Sequence, residues 1–321
     1  MTIKWLFLII TTIYHGLASL LENRIEQPPG QLIDVGGYRL HLYCQGQGTP
    51  TVIIDHSLGG LDGYFLIDKI AEITRVCIYD RAGYGWSDIS PKKRCSEEIV
   101  KELNILLEKA NIQPPYILVG DSFGSYNVRL YAHYFPEKVL GLVLGDGLHE
   151  QEMLKMPLAL RFLKYFFLSG FIFSILGAIL GLIRLLGNLK VFELIKPELK
   201  KFPIQVTRRV KHFFYRPKHW LTMGREMGNL EESAKQVSAV KDLGNLPIVS
   251  VKSKTFFNPS IFNFYMPIRT VNKFRDKMHN KLLKLSSNCQ QLEASKSSHF
   301  IWIDQPEIIL EAIQLLLVRN E

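Results

Sequence analysis

Residues 116–124 read Tyr116-Ile-Leu-Val-Gly-Asp-Ser-Phe-Gly124, and their reading decides the fold. The first four are an apolar, β-branched run after Pro114-Pro115, the pattern of a short, fully buried strand. Gly120-Asp121-Ser122-Phe123-Gly124 then fits G-x-S-x-G, and the amphipathic run from Ser125 to Tyr134 predicts a helix directly after it. A serine at a sharp strand-to-helix turn needs neighbours without Cβ atoms, because the two backbone limbs pass close together. Gly120 and Gly124 meet that need, which makes Ser122 a candidate nucleophile.

Working outward, the chain alternates apolar strands with helical segments. Strands are expected at Thr51–Asp55, Val76–Tyr79 and Val139–Leu144, with helices near Leu61–Ile73 and Ser96–Ala110. That order predicts an α/β fold whose central sheet is mostly parallel, with helices on both faces. Leu32–Val35 and Tyr38–Tyr43 alternate around Gly36-Gly37 and predict an antiparallel hairpin at the start of the sheet. Leu246–Val251 and Gln290–Ala294 supply the last strands, and Pro306–Val318 a last helix. The expected organisation is a hydrophobic N-terminal segment (1–24), a first core part (25–150), a helical cap insertion (151–240) and a second core part (241–321).

The 321 residues are 47% hydrophobic and carry a formal charge of +9. Between Arg184 and Arg225 eleven basic residues are opposed only by Glu193 and Glu198. Immediately before this block, Phe166 to Ile183 carries no charge, so an anionic membrane surface is a better expectation than nucleic acid. Trp5–Leu21 is a second apolar segment, open to three readings: an uncleaved anchor, a signal cleaved near Gly16-Leu17-Ala18, or a buried helix. The protein is therefore expected at a membrane through its N-terminal segment. Cys44, Cys77, Cys95 and Cys289 are far apart and form no C-x-x-C pair; Cys77, in an expected buried strand, reads as a packing residue, and no disulfide framework is implied. With no P-loop, H-E-x-x-H or Cys/His ligand set, neither cofactor nor metal is expected.

Four ordered stretches carry a family resemblance: Thr51–Gly60 (TVIIDHSLGG), Arg75–Asp88 (RVCIYDRAGYGWSD), the Ser122 turn, and Ser298–Pro306 (SHFIWIDQP). Together they resemble the α/β-hydrolase fold superfamily, and most of all its capped serine hydrolases of the esterase, lipase and aminopeptidase kind. The resemblance implies Ser122 as nucleophile and His299 as its general base, since a hydroxyl needs an adjacent base to attack at neutral pH. It implies backbone N–H groups of Phe123 and Leu58 as the oxyanion hole. His56 sits in the same loop as a shaping residue, and Ser57 stands where the family often has glycine, so strain at positive φ is expected there if the loop needs it.

The third member is not at the family's commoner position. The stretch after the Pro247–Val251 strand, Lys252 to Pro259, holds no carboxylate; Asn258 lies in it. Some family members take the acid from the end of the strand after the elbow helix, which here is Asp146. Asp80 and Arg81 read as a loop-bracing pair, and Asp121, one position before the elbow centre, is not expected to attack. The implied activity is hydrolysis of an ester, amide or thioester of a lipophilic small molecule through an acyl-enzyme. The alternatives are a non-catalytic membrane-associated binding protein on the same fold, or an acyltransferase using the same serine.

Overall fold

The computed structural model describes residues 3–25, 27–240, 242–258 and 267–318. Its centre is an eight-stranded sheet in the order β1-β2-β4-β3-β5-β6-β7-β8. The strands are β1 (Gln31–Asp34), β2 (Arg39–Gln45), β3 (Thr51–Asp55), β4 (Val76–Asp80), β5 (Tyr116–Asp121), β6 (Val139–Gly145), β7 (Ile248–Ser253) and β8 (Cys289–Ala294). β1 and β2 pair antiparallel as the expected hairpin, β2 lies antiparallel on β4, and every other pair is parallel.

Pleating sorts the strand residues between two cores. Ile53, Leu118 and Leu142 face a layer that includes α3 (Ser96–Lys109), α4 (Gly124–Tyr134) and α12 (Ile268–Leu282). Their chain neighbours Val52, Ile54, Ile117, Val119 and Val143 face the opposite layer of α2 (Gly63–Ala71), α13 (Ile301–Asp304) and α14 (Glu307–Val318). Successive side chains on a strand point to opposite faces, so these unbroken apolar runs are what a sheet covered on both sides requires.

Between β6 and β7 the chain leaves the sheet for α5 (Glu150–Leu154), α6 (Leu158–Ile179), α7 (Leu182–Asn188), α8 (Val191–Ile195), α9 (Ile204–Phe214), α10 (Pro217–Gly228) and α11 (Leu230–Val237). The N-terminal segment is one helix, α1 (Ile3–Ile25). Among the described residues α1 and α6 are long and apolar enough to cross a membrane by length and composition.

Three expectations change. Cys44 and Cys77 are joined by a disulfide, not merely packed. They are 33 residues apart in sequence, and only the antiparallel register of β2 on β4, which sets Cys44 opposite Cys77, brings them together. The uncharged run 166–183 is not one helix: α6 stops at Ile179 and Gly181, at φ 74°, turns the chain into α7. Finally, a helix not among the expected elements, α12, lies between the last two strands, with Val271, Phe274, Met278 and Leu282 as its buried stripe.

Candidate active site

The turn after β5 is as tight as its glycines suggest. A Cβ on Gly124 would lie 2.3 Å from the Asp55 carbonyl oxygen, and one on Gly120 would lie 2.6 Å from that of Gly124. Ser122 itself is held at φ 48°, in the left-handed region, with its N–H donating to the Gly145 carbonyl at 2.7 Å. Few non-glycine residues adopt this conformation, and here it lifts Oγ off the end of the strand.

His299, in the segment between β8 and α13, reaches that hydroxyl. Its Nε2 is 3.0 Å from Ser122 Oγ, and its Nδ1 is 2.5 Å from Asp146 Oδ2. The Phe256 ring stacks on the imidazole at 4.5 Å between centroids, and the Phe256 carbonyl accepts the His299 N–H. Asp146 follows β6, again at a positive φ of 42°, with its N–H on the Val251 carbonyl. Ser122, His299 and Asp146 thus form one hydrogen-bonded row at the C-terminal ends of parallel strands, where open α/β sheets place their ligands.

Asp146 has further partners that the sequence did not suggest. Arg275 and His279, both on α12, donate to its Oδ1, His279 Nε2 at 2.9 Å. The Ser253 hydroxyl donates to Oδ2 at 3.2 Å and the Ser253 N–H to Oδ1 at 3.3 Å. Burial alone would raise this carboxyl. The bonds from His279 and His299 and the Arg275 charge outweigh it, and Asp146 sits well below the usual carboxylate range. The stripe at 271, 274, 278 and 282 was the available signal for α12; Arg275 and His279 lie four residues apart on that helix.

Leu58 and Phe123 both line the cavity beside Ser122, and neither N–H has a hydrogen-bond partner among the described residues. Ser57 is not at positive φ, so the expected strain is not there. Its N–H and hydroxyl instead both donate to Asp62. Burial pushes the Asp62 carboxyl up to about 7.

His56 is buried, with Nε2 on the Tyr79 carbonyl at 2.9 Å and Nδ1 accepting from the Gly63 N–H at 3.0 Å. Burial pushes it down to about 3, so it stays neutral and shapes the loop. Asp80 and Arg81 do brace loops, but not as a pair. Asp80 meets His41 at 3.0 Å, whereas Arg81 binds Asp55, the carbonyls of His56 and Ser57, and Glu226 of α10. Asp121 points away from the cavity towards Gly145, where an added Cβ would lie 1.8 Å from its Oδ1. Its burial raises that carboxyl well above the ordinary range.

The cavity at Ser122 has a volume of about 360 Å³ and is roofed by α6 and α10 side chains including Leu163, Phe167, Phe171, Met223 and Met227. A second, equally apolar cavity of about 310 Å³ shares the walls Ser57, Leu58, Phe300 and Trp302 with it. Both volumes suit small ligands. Among the described residues no three His, Cys, Asp or Glu side chains gather as a metal site.

Residues 50–175 match the sequence profile of the alpha/beta hydrolase fold family. The uncharacterized protein YbdG of Bacillus subtilis is 26% identical over 144 residues, 43% of this chain and 44% of its own length. The match therefore spans less than half of that relative. YqjL, an uncharacterized protein of the same organism, is 26% identical over 280 residues, 84% of each chain. Among solved structures, a putative lipase from Acinetobacter baumannii superposes with a TM-score of 0.61 at 15% identity, covering 95% of this chain and 96% of its own. The eight-stranded sheet, the profile match over residues 50–175 and this superposition agree on the fold: the chain has the α/β-hydrolase fold.

Proposed function

We propose that the chain is a serine hydrolase that cleaves an ester, amide or thioester of a lipophilic small molecule through an acyl-enzyme on Ser122. The observation that carries this reading is the continuous row Ser122 Oγ, His299 Nε2, His299 Nδ1, Asp146 Oδ2. Ser122 Oγ attacks the substrate carbonyl while His299 Nε2 takes its proton. The Leu58 and Phe123 N–H groups receive the negative oxygen of the tetrahedral intermediate. Collapse breaks the bond to the leaving group, which departs with the proton from His299 and leaves the acyl group on Ser122. Water then attacks the acyl carbon, His299 again acting as base, and the carboxylic acid and free Ser122 result. Asp146 stays ionised throughout and fixes the imidazole with its Nδ1 proton towards the carboxylate.

The apolar walls of both cavities support a lipophilic substrate, and the exposed apolar faces of α1 and α6 support a membrane as its source. A fluorophosphonate probe tests the core of the reading. It should label the folded protein at Ser122, and labelling should vanish in Ser122→Ala. A folded protein that stays unlabelled would instead be a binding protein on this fold.

A further inference from the structure

α1 is not apolar all round. Thr11, His15, Ser19 and Glu22 follow one another at spacings of four, four and three residues and so form one polar stripe along the helix. That stripe is docked on the cap. Arg184 of α7, almost fully buried, donates from Nε to His15 Nδ1 at 3.1 Å, from Nη2 to Ser19 Oγ at 3.0 Å, and from Nη2 to Glu22 Oε2 at 2.8 Å. His212 of α9 also meets Glu22, at 3.2 Å. Asn188 donates to the Tyr14 hydroxyl and Arg216 to Asn23. At Gly181 the backbones approach so closely that a Cβ would lie 2.3 Å from the Thr11 carbonyl oxygen.

The attached part of α1 therefore runs from Thr11 to Asn23. What remains free, residues 3–10, is about 12 Å of helix at 1.5 Å per residue, against a bilayer core of about 30 Å. Pulling Glu22 and Arg184 apart to release the rest would leave the buried Arg184 charge without its carboxylate.

We propose that α1 does not cross the membrane but lies along the cap as a one-leaflet anchor, so that α1 and α6 together dock the protein on an anionic phospholipid surface. Both helices pack on α7. Their outer faces expose Trp5, Phe7, Ile13, Phe162, Phe166 and Phe173. The charge on these segments suits anionic lipid. Over α1 and the stretch 158–201 that begins with α6, the acidic residues Glu22, Glu193 and Glu198 each meet a basic partner within the protein, while Lys4, Arg24, Arg161, Lys190, Lys200 and Lys201 are exposed. The consequence for the enzyme rests on the hydrolase reading. Leu163, Phe167 and Phe171 of α6 line the Ser122 cavity while Phe166 and Phe173 of the same helix face out, so a single helix separates the reacting serine from the docking surface.

The test uses the full chain with Cys289→Ser to remove the partly exposed thiol and with Ile3→Cys and Ile25→Cys placed at the two ends of α1. Reconstituted into sealed vesicles and treated with a membrane-impermeant maleimide, each molecule should acquire either two labels or none, because both ends lie on one side. One label per molecule would mean that α1 spans, and would overturn the proposal. Before reconstitution, the protein should sediment with phosphatidylglycerol-containing vesicles at least about tenfold better than with phosphatidylcholine alone, and less at high salt. A protein that ignores both, or that covers this face by dimerising in solution, would equally overturn it. Ser122→Ala should leave the labelling pattern and the vesicle preference intact, so failure of the hydrolase reading and failure of the anchor are told apart.

Discussion

Four residues, Arg275, His279, His299 and Ser253, meet the Asp146 carboxylate, more than are needed merely to orient one histidine. Its left-handed backbone suits asparagine as well as aspartate, so Asp146→Asn should keep the fold. Turnover should nonetheless fall by about 10⁴, as expected when the neutral amide no longer stabilises imidazolium; near-normal kcat on a chromogenic ester would remove Asp146 from the mechanism. Because its folded value is depressed, Asp146 contributes stability above its unfolded value of about 3.9 that is lost as pH falls below it. His279→Ala should therefore flatten the acid limb of the stability curve below about pH 4, in addition to any change in activity. Ser122, Asp146 and His299 were legible because each sits beside a recognisable strand or helix end. Arg275 and His279 were not, since their role appears only when α12 packs against β7, a tertiary contact that no local pattern encodes.

Elements are tied to one another by buried charge and by sulfur. Arg81 is fully buried between Asp55 and Glu226, and thereby fastens α10, in the helical stretch between β6 and β7, to the loop carrying Leu58. Removing one partner strands the other charge, so Glu226→Ala should cost about 3–5 kcal/mol in chemical denaturation. A loss below about 1 kcal/mol would show that the cap and core are not coupled there. The Cys44–Cys77 bridge closes a loop with a sequence separation of 33. By loop entropy the double Cys44→Ala, Cys77→Ala variant should lose about 3–4 kcal/mol, measured against the oxidised protein. The strands themselves could be read from their apolar runs and the hairpin from its paired glycines. The bridge could not, because cysteine pairing depends on register, and the break at Gly181 was hidden inside an uninterrupted apolar composition.

Across the whole molecule, several histidines are buried without charge. Burial pushes His56 and His219 down to about 3 and His149 to about 4. The unfolded chain binds protons at these groups from about pH 6.5 downward while the folded chain does not, so stability falls with pH. Between about pH 6 and pH 5 the slope should approach 1.4 kcal/mol per pH unit for each group, the His149 share fading towards pH 4 as its folded form protonates. Urea midpoints measured from pH 7 to pH 4 check this, and a flat profile would contradict the burial of neutral imidazoles. The overall architecture was legible because four motifs kept their order along the chain; the docking of α1 on the cap was not, since it hangs on Arg184, one residue in a basic block that reads in sequence as uniform surface. The most direct test of the central claim is acid-quenched peptide mapping by mass spectrometry during turnover of a long-chain p-nitrophenyl ester. The expected result is the acyl mass on the peptide containing Ser122, reduced to background in Ser122→Ala. An active enzyme whose acyl group is found on another residue, or on none, would contradict the account.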